Sequence, residues 1–108
     1  MMLKAVPGVY AIINRNNRKM YIGRSKNILA RCEAHAWKLK TGNHGCDELQ
    51  EDFDFGNQID FVALLEMPGA SNEELKEMEQ HFIYIFQTYD REHGYNKNKR
   101  PTSASIAI

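Results

Sequence analysis

The sequence predicts an α+β domain, and three observations carry that prediction. Two short apolar segments, GVYAIIN and KMYIG, flank an Asn/Arg-rich loop and read as a β-hairpin. Two later stretches place apolar residues at helical spacing. Between them, Phe61 to Glu66 (FVALLE) reads as a third strand. At 108 residues the chain is one small domain with a single core. A composition 43% hydrophobic and 26% charged is that of an ordinary globular domain.

Val9 to Asn14 combines β-branched and aromatic residues with little helical periodicity, hence a strand. Asn14 to Arg18 is turn chemistry, because Asn tolerates left-handed backbone. Lys19 to Gly23 is the returning strand, and Gly23 lets another group approach the backbone closely. From Asn27 to Lys40 the period becomes helical, with Ile28, Cys32, Ala36 and Leu39 on one stripe. Ser25 or Asn27 caps that helix, and Thr41-Gly42-Asn43 stops it. Asp47 to Phe53 reads as a short helix capped by Asp47. Pro68-Gly69 is a turn. The longest helix is Asn72 to Tyr89, opened by a capping box of Ser71 and Glu74. Its expected apolar stripe is Leu75, Met78, Phe82, Ile85, Phe86 and Tyr89. Gly94-Tyr95-Asn96 turns the chain. Residues 1–97 are read as the domain and 98–108 as a C-terminal tail.

The charges are unevenly spread. Met1 to His44 holds nine Lys/Arg against one acid, Glu33, whereas Gly45 to Glu92 holds thirteen acids against two bases. Lys97, Lys99 and Arg100 follow unopposed. A net charge of zero therefore hides one basic and one acidic surface. The basic part includes Arg24, Lys26, Lys38 and Lys40, the candidate phosphate-contacting residues. No apolar run approaches a membrane span, and no signal peptide follows Met1. Two cysteines, Cys32 and Cys46, are too few for a disulfide scaffold, so a reduced, cytoplasmic setting is expected.

One residue stands out on physical grounds alone. Glu79 falls within the apolar stripe of the long helix, while Glu73, Glu74 and Glu77 lie to its polar side. A carboxylate on a packing face must be paired, metal-bound or at the edge of a cleft. Arg31 and His35 lie one turn apart on one face of the first helix.

Gly8-Val9-Tyr10, ten residues, then Tyr21-Ile22-Gly23 resembles the signature of the GIY-YIG nuclease superfamily. The likeness continues through Arg31, Glu79 and Gly94-Tyr95-Asn96, and so covers nearly the whole chain. It is to the nuclease domain of phage homing endonucleases in particular, including Lys40-Thr41-Gly42-Asn43-His44. Val9 in place of isoleucine is the departure within the two tripeptides. The resemblance implies a small three-stranded antiparallel sheet flanked by helices, and single-metal hydrolysis of DNA. Glu79 is then the ligand for Mg²⁺ or Mn²⁺, which keep waters as their other ligands. Arg31 forks onto the charged phosphate. Tyr10 is the implied general base or water-positioning residue, and Tyr21 holds the water or the scissile phosphate. His35 and His44 match positions where relatives place histidine. A neutral imidazole is the better intrinsic base, so the base stays open between Tyr10 and a histidine. Asn96 is expected to orient Glu79 or the long helix.

Other readings compete. The tyrosines can be half-buried hairpin residues, Glu79 can pair with Arg31, and Asn96 can be a turn residue. Cys32, His35, His44 and Cys46 can be read as a zinc site, although their spacing fits no common zinc motif. A domain that kept the fold and binds nucleic acid without turnover is the main functional alternative. The expected partner is DNA, bound weakly, with strong salt dependence and low sequence specificity. A monomer or weak dimer in a bacterial or phage-infected cell is expected. Homing relatives attach a DNA-binding domain through a linker, so this chain is either a stand-alone nuclease or part of a longer protein.

Overall fold

The computed structural model describes residues 2–97. Its elements run β1 (Gly8–Asn14), β2 (Met20–Ser25), α1 (Ile28–Lys40), α2 (Asp47–Asp54), β3 (Ile59–Glu66) and α3 (Asn72–Phe86). The tail expected at 98–108 lies outside the described residues. The three strands form one antiparallel sheet in the order β2-β1-β3. The central strand β1 is buried almost throughout, because both faces of the sheet are covered.

Strand alternation sorts the side chains between two cores. Tyr10 and Ile12 pack with Ile28, Cys32 and Leu39 of α1 and Leu49 of α2. Val9, Ala11 and Ile22 pack with Ile83, Met78 and Phe82 of α3. The sheet is thus a middle layer between α1 and α2 on one side and α3 on the other.

Local chemistry sets the helix ends. Asn27 caps α1, its Oδ1 accepting from Ala30 N at 3.0 Å. Ser71 and Glu74 form the reciprocal box at α3. Three boundaries depart from expectation. The N-cap of α2 is Cys46, not Asp47, which lies in the first turn. Strand β3 starts at Ile59, where it can still pair with Asn14 at the far end of β1. Helix α3 ends at Phe86 rather than Tyr89, because Gln87 adopts the left-handed conformation at φ 54°. The buried row of α3 is Leu75, Glu79 and Ile83. Ile85 and Phe86, expected on the apolar stripe, are 51% and 38% exposed. The helix lies along its four-residue row, mainly over β2, and this turns Ile85 outward.

Residues 93–96 cover the free edge of β2. Met20 N donates to His93 O at 3.2 Å, and Tyr95 N donates to Met20 O at 2.9 Å. Asn96 continues the pairing with its side chain. Its Oδ1 accepts from Ile22 N at 2.8 Å and its Nδ2 donates to Ile22 O at 2.9 Å. The carboxamide thus bonds β2, while the sequence reading expected it to orient Glu79 or the long helix. Gly94 makes this approach possible, since a Cβ there would fall 2.4 Å from the Thr88 Cα.

Candidate active site

Beyond the Asn96 contact with Ile22, a cleft opens beside the next stretch of β2. Tyr10, Tyr21, Gly23, Arg24, Ser25, Arg31 and Glu79 line it. Its volume of about 390 Å³ has room for a phosphate group and several waters. A neighbouring hollow shares Tyr21 and Arg31 and adds His35, Lys38, His44, Tyr95 and Lys97. The side chains come from both faces of the sheet. Tyr10 approaches from the α1 side and Glu79 from α3.

Register explains the meeting point. Tyr10 lies opposite Gly23 and Ile12 opposite Tyr21 in the β1–β2 ladder, so both tyrosines sit on one face of the hairpin. Gly23 has no side chain, and the Tyr10 ring occupies that space. The phenol is 1% exposed, and its oxygen lies 2.7 Å from His35 Nε2. Arg31 lines the same cleft, near enough to act on the phenol electrostatically. Burial pushes the Tyr10 phenol well above its ordinary range, and the Arg31 guanidinium opposes that rise. Burial raises Tyr21 too, with Glu79 nearby adding to the rise.

His35 and His44 stack, with ring centroids 5.0 Å apart, and His35 Nδ1 lies 2.8 Å from His44 Nε2. Cys46 N donates to His44 Nδ1 at 3.0 Å. The ring nitrogens of the pair are thus engaged with each other, Tyr10 and backbone. Cys32, on α1, is buried in the core. Burial, then the neighbouring His44, Arg31 and Lys38, pushes His35 down to about 4. Burial lowers His44 as well.

Glu79 is 8% exposed, and its Oε1 accepts from Arg24 Nη1 at 2.5 Å. The partner is thus Arg24, where the competing reading had Arg31. Burial pushes the carboxyl up, and Arg24 partly offsets this. Among the described residues no group of three or more His, Cys, Asp or Glu side chains forms an all-protein metal cage. One carboxylate beside water space and a phosphate-sized cleft is still a donor set that Mg²⁺ accepts. The other basic residues diverge. Lys26 donates to Ala70 O at 2.8 Å. Lys38 lines the hollow. Lys40 is exposed on the opposite side of α1 from Arg31, by the period of the helix.

The family model described as the GIY-YIG catalytic domain matches residues 6–101. The chain belongs to the GIY-YIG family. Intron-associated endonuclease 1 of Enterobacteria phage T4 is 31% identical over 90 residues. That alignment takes in 82% of this chain and 36% of the relative, so the chain spans about a third of its length. The catalytic domain of homing endonuclease I-TevI superposes with a TM-score of 0.76 at 29% identity, covering 86% of this chain and 99% of that one. A mutant form of the same catalytic domain gives a TM-score of 0.75, covering 85% and 93%. The three-stranded antiparallel sheet with its helices is therefore the GIY-YIG fold.

Within this GIY-YIG domain the structure gathers Tyr10, Tyr21, Arg31 and Glu79 at one cleft and His35 and His44 beside it. Asn96 acts one layer back, on the β2 backbone. Gln50 escaped the sequence reading. Its Oε1 accepts from His44 N at 3.0 Å, and its Nε2 donates to Leu39 O at 3.0 Å. Its burial on the otherwise acidic helix α2 is the sole signal that would have marked it. Arg24 was read as a phosphate contact, and the sequence gives no hint of its pairing with Glu79. Among the described residues no helix is long and apolar enough to cross a membrane.

Proposed function

We propose that this chain is a metal-dependent endonuclease that hydrolyses DNA phosphodiester bonds at the cleft between β2, α1 and α3. The observation that carries the reading is the convergence of two phenols, a guanidinium and a buried carboxylate around Gly23. Attack on a phosphodiester needs a held water, donors for the charge that grows on the phosphate, and help for the leaving oxygen. Arg31 lines the cleft and has five N–H donors, enough to fork onto phosphate oxygens. Tyr10 and Tyr21 bracket the water. Glu79 would hold a Mg²⁺ or Mn²⁺, and Arg24 would then be released from the carboxylate for the DNA backbone. When bound, the cation polarises the phosphate and stabilises the departing 3′ oxygen. Lys38 and Lys97, beside the cleft, extend the basic track for the DNA. A monomer or weak dimer suffices for single-strand cuts, and a cytoplasmic site in a bacterial or phage-infected cell suits the substrate.

A catalytically silent nucleic-acid-binding domain is the second reading, and one observation favours it: Arg24 already occupies a Glu79 oxygen. Supercoiled plasmid at low salt separates the two. Nicking with Mg²⁺ that disappears with EDTA and with Glu79→Ala supports the nuclease. DNA binding without nicking, even with Mn²⁺, supports the silent domain.

A further inference from the structure

The chain of contacts behind Tyr10 has a direction, fixed by a group that cannot reverse. A backbone amide is always a donor. Cys46 N–H points at His44 Nδ1 from 3.0 Å, so that nitrogen must be the acceptor. A neutral imidazole carries one proton, and His44 therefore carries it on Nε2. Nε2 faces His35 Nδ1 at 2.8 Å, which must then accept. The His35 proton is left on Nε2, 2.7 Å from the Tyr10 oxygen. The reverse order would set a His44 Nδ1–H against the Cys46 N–H, two donors head to head in a buried site.

We propose that the Cys46 amide and Gln50 are positioning groups that lock His44 and His35 as Nε2–H tautomers, so that Tyr10 accepts its hydrogen bond from His35. Gln50 holds the amide in place. It ties His44 N to the last turn of α1 through Leu39 O, and it also donates to Asp54 at 2.9 Å. Both of its ends are used, and it is buried. The consequence for the reaction rests on the nuclease reading above. His35 has no free lone pair, since Nδ1 is taken by His44 and Nε2 bears hydrogen. It is therefore not the general base. The Tyr10 oxygen receives His35 on its inner side, which leaves the phenol's own proton for a partner in the cleft that Tyr10 lines. Tyr10 meets the substrate as a donor and becomes a base only after losing that proton on the cleft side. No proton leaves through the histidines. The depressed basicity of both imidazoles agrees with a pair that stays neutral.

Long-range ¹H–¹⁵N correlation on the intact, metal-free chain at neutral pH reads both tautomers directly. His35 and His44 are expected in the Nε2–H form, and Nδ1–H signals from either overturn the proposal. In Gln50→Ala the His44 signals are expected to average between tautomers, with kcat for nicking down ~10-fold and DNA affinity unchanged. Unaltered tautomers and kcat in that variant remove Gln50 from the assignment. If Gln50→Ala does not fold, the parent spectrum still decides the tautomers. Absence of cleavage by the parent would sink the nuclease reading alone, because the tautomers are measured without DNA.

Discussion

Gly23 lies directly across the β1–β2 ladder from Tyr10, and a Cβ at position 23 would fall 2.3 Å from the Tyr10 hydroxyl. The second signature glycine is thus the floor on which the first signature tyrosine rests. Gly23→Ala must push the phenol off His35. Overpacking of this kind costs roughly 1–3 kcal/mol of stability. Displacing a reacting group by about 1 Å costs about 100-fold in rate. Urea unfolding and plasmid nicking measure the two effects, and a fully active Gly23→Ala would mean that Tyr10 is not held for chemistry.

Arg24 holds the Glu79 oxygen, so a divalent cation bound there, as proposed above, would have to compete with it. Arg24→Gln should therefore raise the midpoint shift that millimolar Mg²⁺ produces in thermal unfolding without DNA. Without metal the same variant should lose about 1–2 kcal/mol, because Glu79 stays buried without its cation. The cost is kept modest by Arg24, whose side chain is 42% exposed. Equal Mg²⁺ shifts in variant and parent would place the metal elsewhere.

Acid should unfold this domain early. His35 titrates at about 4 when folded, against 6.5 for a free histidine. Below 6.5 the unfolded chain takes up a proton that the folded one refuses, so stability falls as pH drops from 6.5 towards 4. Below that window both states are protonated and this loss stops. The displacement is worth roughly 3 kcal/mol in all. His44 adds in the same direction. Urea midpoints at pH 7.5 and pH 5 measure the slope, and His35→Asn should flatten it.

Two lysines of one helix should behave differently on DNA. Lys38 lines the hollow beside the cleft, while Lys40 faces away from Arg31. Lys38→Ala should weaken binding across sequences and reduce the salt slope by about 1. Lys40→Ala should leave the slope nearly unchanged. Fluorescence anisotropy at several salt concentrations separates them, and equal losses would mean that the DNA lies across α1 rather than along the cleft.

The sheet, α1, α3 and both caps were legible because each has a local cause: alternation, helical spacing, Asn27, and Ser71 with Glu74. Glu79 was legible as a charge on a packing row. Asn96 was legible as a motif residue, and its contact was not. Its partner Ile22 is set by how residues 93–96 dock on β2, a long-range event with no local pattern. The Arg24–Glu79 pair and the Gln50 ties are of the same kind. The end of α3 was missed because Gln87 adopts left-handed backbone without being a glycine or asparagine.

The segment that runs along β2 has a consequence beyond the site. A bare outer strand is an invitation to a second chain, which could add its own strand there and start a fibre. Here the backbone groups of Met20 and Ile22 are already taken, by the backbone of His93 and Tyr95 and by the side chain of Asn96 of the same molecule. A chain interrupted after α3 would keep Tyr10, Arg31 and Glu79 and lose this cover. Such a fragment is expected to self-associate, so a soluble, single-chain fold should arrive only once residues 93–96 are in place.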